Sequence, residues 1–212
     1  VEVYETEEQQ VDAIKSYWQK NGNIIIAGLV IGLSGFIGFN FYKDAQLEQE
    51  LAVSDAYQTL VEAAETNPDN FVASGESFIA ENKDSSYATL TALTLAKKAT
   101  TDKNWAEAEK HLTTAIETSK DEGIKAIATL RLARVQIQLN TLDAALTTLS
   151  ASLPSSFKSS IEEVKGDAYL LQGKTDLARS SYQEAIEATS GKATPALRMK
   201  LDDLAQNITL NN

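Results

Sequence analysis

The sequence predicts an all-α protein: an N-terminal single transmembrane helix followed by a solenoid of helical hairpins. Three observations predict it. Residues 21–42 contain no charged side chain. Downstream the chain is polar and acidic, with Pro only at Pro68, Pro154 and Pro195, few glycines and no run of period-two alternation, so long helices joined by short turns follow. Finally, one arrangement of small and large residues recurs three times after residue 89.

The uncharged run sets the first element. From Ile24 to Tyr42 an α-helix is about 28 Å long at ~1.5 Å per residue, close to the hydrocarbon thickness of a bilayer. Eleven Ile, Leu, Val and Phe residues contribute roughly −3 to −6 kcal/mol on the insertion scale, partly offset by four glycines and Asn40. A cleaved signal peptide has a shorter apolar region followed by small residues, whereas this run ends Phe39-Asn40-Phe41-Tyr42-Lys43-Asp44. A core helix would carry a polar face, and here the strongly polar side chains are Ser34 and Asn40. The segment is therefore read as a retained signal anchor spanning 24–42. Lys15 and Lys20 precede it and Lys43 follows it, so the positive-inside bias places the N-terminus in the cytoplasm by a narrow margin. Segment 1–23 includes a short amphipathic helix with Val11, Ile14 and Trp18 on one face, opened by Thr6 and Gln9 at capping-box spacing.

Residues 43–212 form the second part. Leu47–Glu65 and Asn70–Ala80 read as a first helical pair, with Leu51, Tyr57, Leu60 and Val61 as core candidates. Neither Gly nor Pro lies between Phe39 and Asn67, so the apolar segment can run on into that helix. Further helix starts are signalled at Asp84-Ser85 and at Thr141. In the clearest repeat, Gly166 and Tyr169 are followed by Gly173-Lys174, then by Ala178, Tyr182 and Ala185. The same frame recurs as Ala133, Asn140, Ala145 and Leu149, and as Ala96, Lys103, Ala108, Leu112 and Ala115. Equivalent alanines are 37 and 33 residues apart, around the period of about 34 that marks the tetratricopeptide pattern. Small residues let paired helices approach, and the Leu or Tyr four positions on fills the space beside them. Glu162 and Lys165 stand where that pattern has large apolar residues, so this copy is degenerate. The expected architecture is a tetratricopeptide-like (TPR-like) α-solenoid with repeats near 89–125, 126–158 and 159–192, and a closing helix at 195–206 that covers the last apolar face.

Composition narrows function. From Asp44 onward the chain carries 25 acids against 16 Lys and Arg, and the whole chain has a net charge of −11, which repels nucleic-acid phosphates and anionic headgroups. There is no cysteine, hence no disulfide, thiolate zinc site or thiol nucleophile. His111 is the single histidine and is expected to be a half-exposed structural residue beside Ala108 and Leu112. No glycine-rich phosphate loop or metal-ligand spacing is present, so no catalytic residue, metal or cofactor is expected.

Binding has better candidates. Gly28, Gly32 and Gly35 lie within a stripe about 60° wide, where another transmembrane helix could approach closely. By similarity to other tetratricopeptide proteins, the first helices of the repeats line a groove with Leu93 and Lys97, then Leu130, Arg134 and Ile137, then Asp167 and Leu170. Apolar and charged groups mixed in this way suit extended or helical protein segments.

Several segments carry a family resemblance: Glu2-Val3-Tyr4-Glu5, Ala80-Glu81-Asn82-Lys83, Leu130-Arg131-Leu132-Ala133-Arg134-Val135-Gln136, Gly173-Lys174 with Ala178-Arg179, and Thr194-Pro195-Ala196-Leu197. They are spread over the chain, which resembles the YfgM family, ancillary membrane-anchored subunits of the bacterial SecYEG translocon. Val1 stands where that family has its initiating Met, so the resemblance implies a chain that starts here. It also implies an inner-membrane protein with a cytoplasmic N-terminus, one span and a periplasmic repeat domain. Its implied work is non-enzymatic: translocated client proteins are passed to periplasmic chaperones, notably the membrane-anchored PpiD. For the cytoplasmic tail the resemblance implies a second role, restraint of the response regulator RcsB. The face of Val11, Ile14 and Trp18 would carry it.

Overall fold

The computed structural model describes residues 7–66 and 70–209, and among these there is no strand. They fall into two compact units, Val1–Ala52 and Val53–Asn212. Helix α1 is Glu7–Thr66. The amphipathic segment of Val11, Ile14 and Trp18 has no boundary of its own and is simply the beginning of α1. Asn21, Gly22 and Asn23 favour turns, yet they are helical, and the Asn21 side-chain amide donates to the Tyr17 carbonyl at 3.2 Å, one turn back. Thr6, the expected cap, and Pro68 lie outside the described residues.

In the first unit the apolar side chains have no cover: Ile24, Phe36 and Phe41 are all more than half exposed. The most apolar window of the helix has a mean hydropathy of 2.1 and no buried residue. A soluble core helix of that composition would be buried, so length, composition and exposure together describe a single transmembrane helix. Leu51, expected in the core, is 56% exposed and belongs to this unit.

The second unit begins with the last part of α1, where Tyr57, Leu60 and Ala64 lie at i, i+3 and i+7 and turn one stripe inward. Val61, the other misassigned core candidate, is 38% exposed because it points about 100° away from Leu60. Tyr57 packs on Tyr87 with ring centroids 4.9 Å apart and on Phe78 at 6.1 Å, and the Ser54 hydroxyl meets the Tyr87 hydroxyl at 3.0 Å. These contacts tie α1 to α2 (Phe71–Glu81) and α3 (Ser86–Thr101).

Three hairpins follow: α3 with α4 (Trp105–Thr118), α5 (Glu122–Gln138) with α6 (Leu142–Thr148), and α7 (Lys158–Leu171) with α8 (Thr175–Ala188). Helix α9 (Pro195–Thr209) closes the series, burying Leu197 and Leu204 against Ala178, Tyr182 and Ala185. Each hairpin turns through a residue with positive φ, namely Lys103 (58°), Asn140 (58°) and Gly173 (74°), the three positions that the repeat aligns. At each turn the next amide reaches back five residues, Asn104 to Ala99, Thr141 to Gln136 and Lys174 to Tyr169, which is the Schellman closure of a helix C-terminus. Only the third copy places glycine there.

Caps fix the helix starts unevenly. The Ser85 side chain accepts from the Tyr87 amide at 3.1 Å, and Asp121 from Ile124 at 2.8 Å. Thr141 does stand at the start of α6, but its hydroxyl donates backward to the Gln136 carbonyl at 3.0 Å and caps nothing. Helix α6 has only 7 residues. Leu149, the large residue of that repeat, is at its C-cap, and Pro154 opens a 3-10 turn at Ser155–Phe157.

The repeat alanines are the packing surface. Ala108, Ala115, Ala133, Ala145, Ala178 and Ala185 are all fully buried, and Ala96 nearly so. Buried Gln136 joins three helices: its amide donates to Glu109 at 2.9 Å, and its carbonyl oxygen accepts from the Thr148 hydroxyl at 2.8 Å.

Candidate functional site

Helices α3, α4 and α5 leave a groove of about 490 Å³ between them. Helix α3 faces it with Leu93, Lys97, Thr100 and Thr101, and α5 with Arg131, Arg134, Val135 and Gln138, so each first helix presents a single stripe. The floor is Ala96, Leu112 and Val135, all buried, with half-buried Trp105 at one edge. Three cations, Lys97, Arg131 and Arg134, line it with no carboxylate or imidazole among them. All three are exposed, and none makes an ion pair or side-chain hydrogen bond within the described residues.

Of the residues expected to face a groove, Leu93, Lys97 and Arg134 come together here. Leu130 does not: it is 5% exposed and packs with Ala133, Leu149 and Val164 in the core between the second and third hairpins. Ile137 is half-buried against the same cluster. Asp167 is already occupied, since Lys200 of α9 approaches its two carboxylate oxygens at 2.7 and 2.9 Å and the Tyr182 hydroxyl donates to it at 2.8 Å. Leu170 remains exposed at the end of α7, apart from the other expected groove residues. Trp105 and Arg131 were not anticipated. Arg131 was legible from its place three residues before Arg134 on one helical face, whereas Trp105 comes from the second helix of its hairpin, outside the first-helix frame.

Lys200 also holds Glu163, at 2.9 Å. Burial works against the Lys200 charge, yet its hydrogen bonds to Asp167 and Glu163 carry its pKa above the usual lysine value. Burial, then the bond to Asp167, pushes the Tyr182 phenol far up, so it stays a neutral donor.

A family model described as a tetratricopeptide repeat-like domain matches residues 15–206. An ancillary SecYEG translocon subunit of Escherichia coli K12 is 32% identical over 209 residues, covering 97% of this chain and 100% of that protein. The protein of the same name from Haemophilus influenzae is 33% identical, covering 93% of this chain and 97% of its own length. The chain belongs to the YfgM family. A more distant relative with that name, from Neisseria gonorrhoeae, is 28% identical over 93% of the chain and 97% of its own length.

Two other features of this YfgM-family chain bear on binding. Around Gly28, Gly32 and Gly35 an added Cβ would meet nothing within 4 Å, and Val11, Ile14 and Trp18 are 48%, 69% and 54% exposed. The remaining polar cluster is at His111, which is 3% exposed rather than half-exposed and has Glu76 of α2 beside it. Its Nε2 is 3.6 Å from a Glu107 oxygen and 4.0 Å from Glu76, and the three could each offer one metal ligand atom within 4.8 Å. The two carboxylates already face an ammonium, with Lys110 at 2.7 Å from Glu76 and 3.4 Å from Glu107. That hydrogen bond lowers the Glu76 pKa and raises that of Lys110, while burial holds His111 below its ordinary value and hence neutral.

Proposed function

We propose that this chain is a membrane-anchored interaction subunit serving the SecYEG translocon, with residues 1–23 in the cytoplasm, 24–42 across the inner membrane and 43–212 in the periplasm. There its repeat surface receives newly translocated proteins and passes them to chaperones such as PpiD. The observation that carries this reading is the end-to-end match, through anchor and repeats alike, to relatives that are ancillary SecYEG translocon subunits. The uncovered apolar helix supports the span, and the balance of Lys15 and Lys20 against Lys43 supports the orientation. An open groove with no carboxylate or imidazole suits binding rather than general acid–base chemistry. The Gly28, Gly32 and Gly35 stripe would let the anchor pack closely on a helix of the translocon.

Site-specific photo-crosslinkers in living cells test this reading. Placed at Gly32, the probe is expected to trap translocon membrane subunits; placed at Gln138 on the groove rim, it is expected to trap periplasmic chaperones or clients. Clean lanes at both positions would sink it. The exposed face of Val11, Ile14 and Trp18 favours a second role in the cytoplasm, restraint of RcsB. In the same cells Ile14→Glu is expected to abolish that restraint and to leave the Gly32 adducts intact.

A further inference from the structure

The groove has a chemistry of its own. The chain is strongly acidic, with net charge −11 and 19 Lys and Arg against 30 acids, and Lys98, Lys110, Lys125, Lys165, Arg179 and Lys200 of the repeat unit each have a carboxylate partner. Lys97, Arg131 and Arg134 have none within the described residues, although exposed acids are abundant on the same unit. What sets the groove apart is convergence: three unpaired cations around one partly apolar floor, with no acid in the lining, concentrate positive potential there. A guanidinium pair adds planar, forked donors that match carboxylates. The floor of Leu112 and Val135, with Leu93 and Trp105 at its sides, offers apolar area that a bare phosphate would not use.

We propose that the groove between α3, α4 and α5 binds an acidic segment of a partner protein, carboxylates meeting Lys97, Arg131 and Arg134 and one apolar side chain seated on Leu93, Trp105 and Val135. This deepens the reading above, and rests on it, by assigning the chemistry of the chain that the repeat surface receives. The stripe spacing defines the register. Arg131 and Arg134 lie three residues apart on α5 and Lys97 lies on the facing wall, so acids on both sides of the apolar anchor are answered. Opposite charge at the rim chiefly selects the partner and speeds its arrival, while the apolar anchor holds it.

The test uses the full chain in nanodiscs of phosphatidylcholine, with Trp18→Phe so that Trp105 is the only tryptophan reporter. The probe is a short synthetic peptide with glutamates on both sides of one leucine. It is expected to shift Trp105 emission saturably, and to bind more weakly as salt is raised. Arg131→Glu with Arg134→Glu is expected to weaken binding by about tenfold or more. Lys83→Glu with Lys192→Glu, the same change of charge at exposed positions outside the groove, is expected to change it little. Both double variants substitute exposed side chains, and an unchanged thermal midpoint checks that they fold. The proposal is overturned if a lysine-for-glutamate peptide binds equally well, if the groove variant binds like its parent, or if an oligonucleotide of equal charge binds as tightly as the peptide. Failure here with Gly32 adducts still forming removes this inference alone. Peptide binding without any Gly32 or Gln138 adduct removes the translocon reading instead.

Discussion

Lys97, Arg134 and Asp167 occupy the same position in three successive repeats, yet they have different fates. The first two line an open groove without partners, and the third is bonded to Lys200 and Tyr182 beneath the closing helix. A second aligned position shows the same divergence in size. The first two repeats pair Ala96 with Leu112 and Ala133 with Leu149, whereas the third pairs Gly166 with Tyr182. A Cβ on Gly166 would overlap the Tyr182 ring, which is fully buried. Repeat position thus sets the direction in which a side chain leaves its helix, and the next element in the stack sets whether it meets solvent or a partner. The third hairpin is built to be covered, the first to stay open.

The strongest way to break this contrast is at Gly166. Gly166→Ala gains about 1 kcal/mol of helix propensity but costs about 3 kcal/mol in overlap with Tyr182, a net loss of about 2 kcal/mol. Urea unfolding of the full chain in detergent should show that loss. Combining it with Tyr182→Leu, which rebuilds the Ala–Leu pairing of the other repeats, should recover part of it through a coupling of about 1 kcal/mol. Simple additivity of the two changes would mean that the aligned pairs are not equivalent packing units.

Next in size is the closing contact. Lys200→Met leaves Glu163 and Asp167 facing each other without their shared ammonium, and because all three are about a third exposed the expected cost is about 1 kcal/mol. A lower thermal midpoint with unchanged acidic-peptide binding at the α3–α5 groove would confirm that the two ends act separately. A loss of binding would show that α9 props the groove open from a distance.

The smallest effect is at His111, outside the groove lining and beside Glu76 and Glu107. Burial lowers its pKa in the folded protein, so between that value and about 6.5 the unfolded chain binds the extra proton. Its contribution is therefore fully present above about pH 6.5 and is lost as pH falls below it, by under about 1 kcal/mol at pH 6. Glu76, Glu107 and Lys110 are the charged groups facing it, and the acids partly offset the burial. Unfolding free energies measured from pH 8 down to pH 5 should fall less steeply in His111→Gln than in the parent.

Local physics made much of this molecule readable in advance. An uncharged run of bilayer length implies an uncovered helix, and α1 between Ile24 and Tyr42 has its apolar side chains exposed. Spaced alanines imply close helix pairs, and those alanines are buried. The aligned turn positions Lys103, Asn140 and Gly173 all adopt positive φ, although only one is glycine, because the hydrogen-bonded closure of each helix imposes that conformation. Less legible were the positions whose surroundings come from distant sequence. Leu130 belongs to the core because the second and third hairpins pack over it, and His111 is buried with Glu76, 35 residues away in sequence, beside it. Four of the seven expected groove residues, Leu130, Ile137, Asp167 and Leu170, lie elsewhere, and Trp105 was missed because the second helix of a hairpin supplies it.

By itself the sequence determined the helices, their order, the repeat period and the apolar anchor, since each depends on neighbours within a few turns: propensity, periodicity and the hydrogen bonding of helix ends. Only the tertiary structure decided which equivalent charge is free and which is bound. That depends on whether α9 supplies Lys200 against Asp167, while around Lys97, Arg131 and Arg134 no element within the described residues brings a carboxylate. Electrostatic pairing acts between groups brought within a few ångströms by packing, and no local pattern along the chain records that distance.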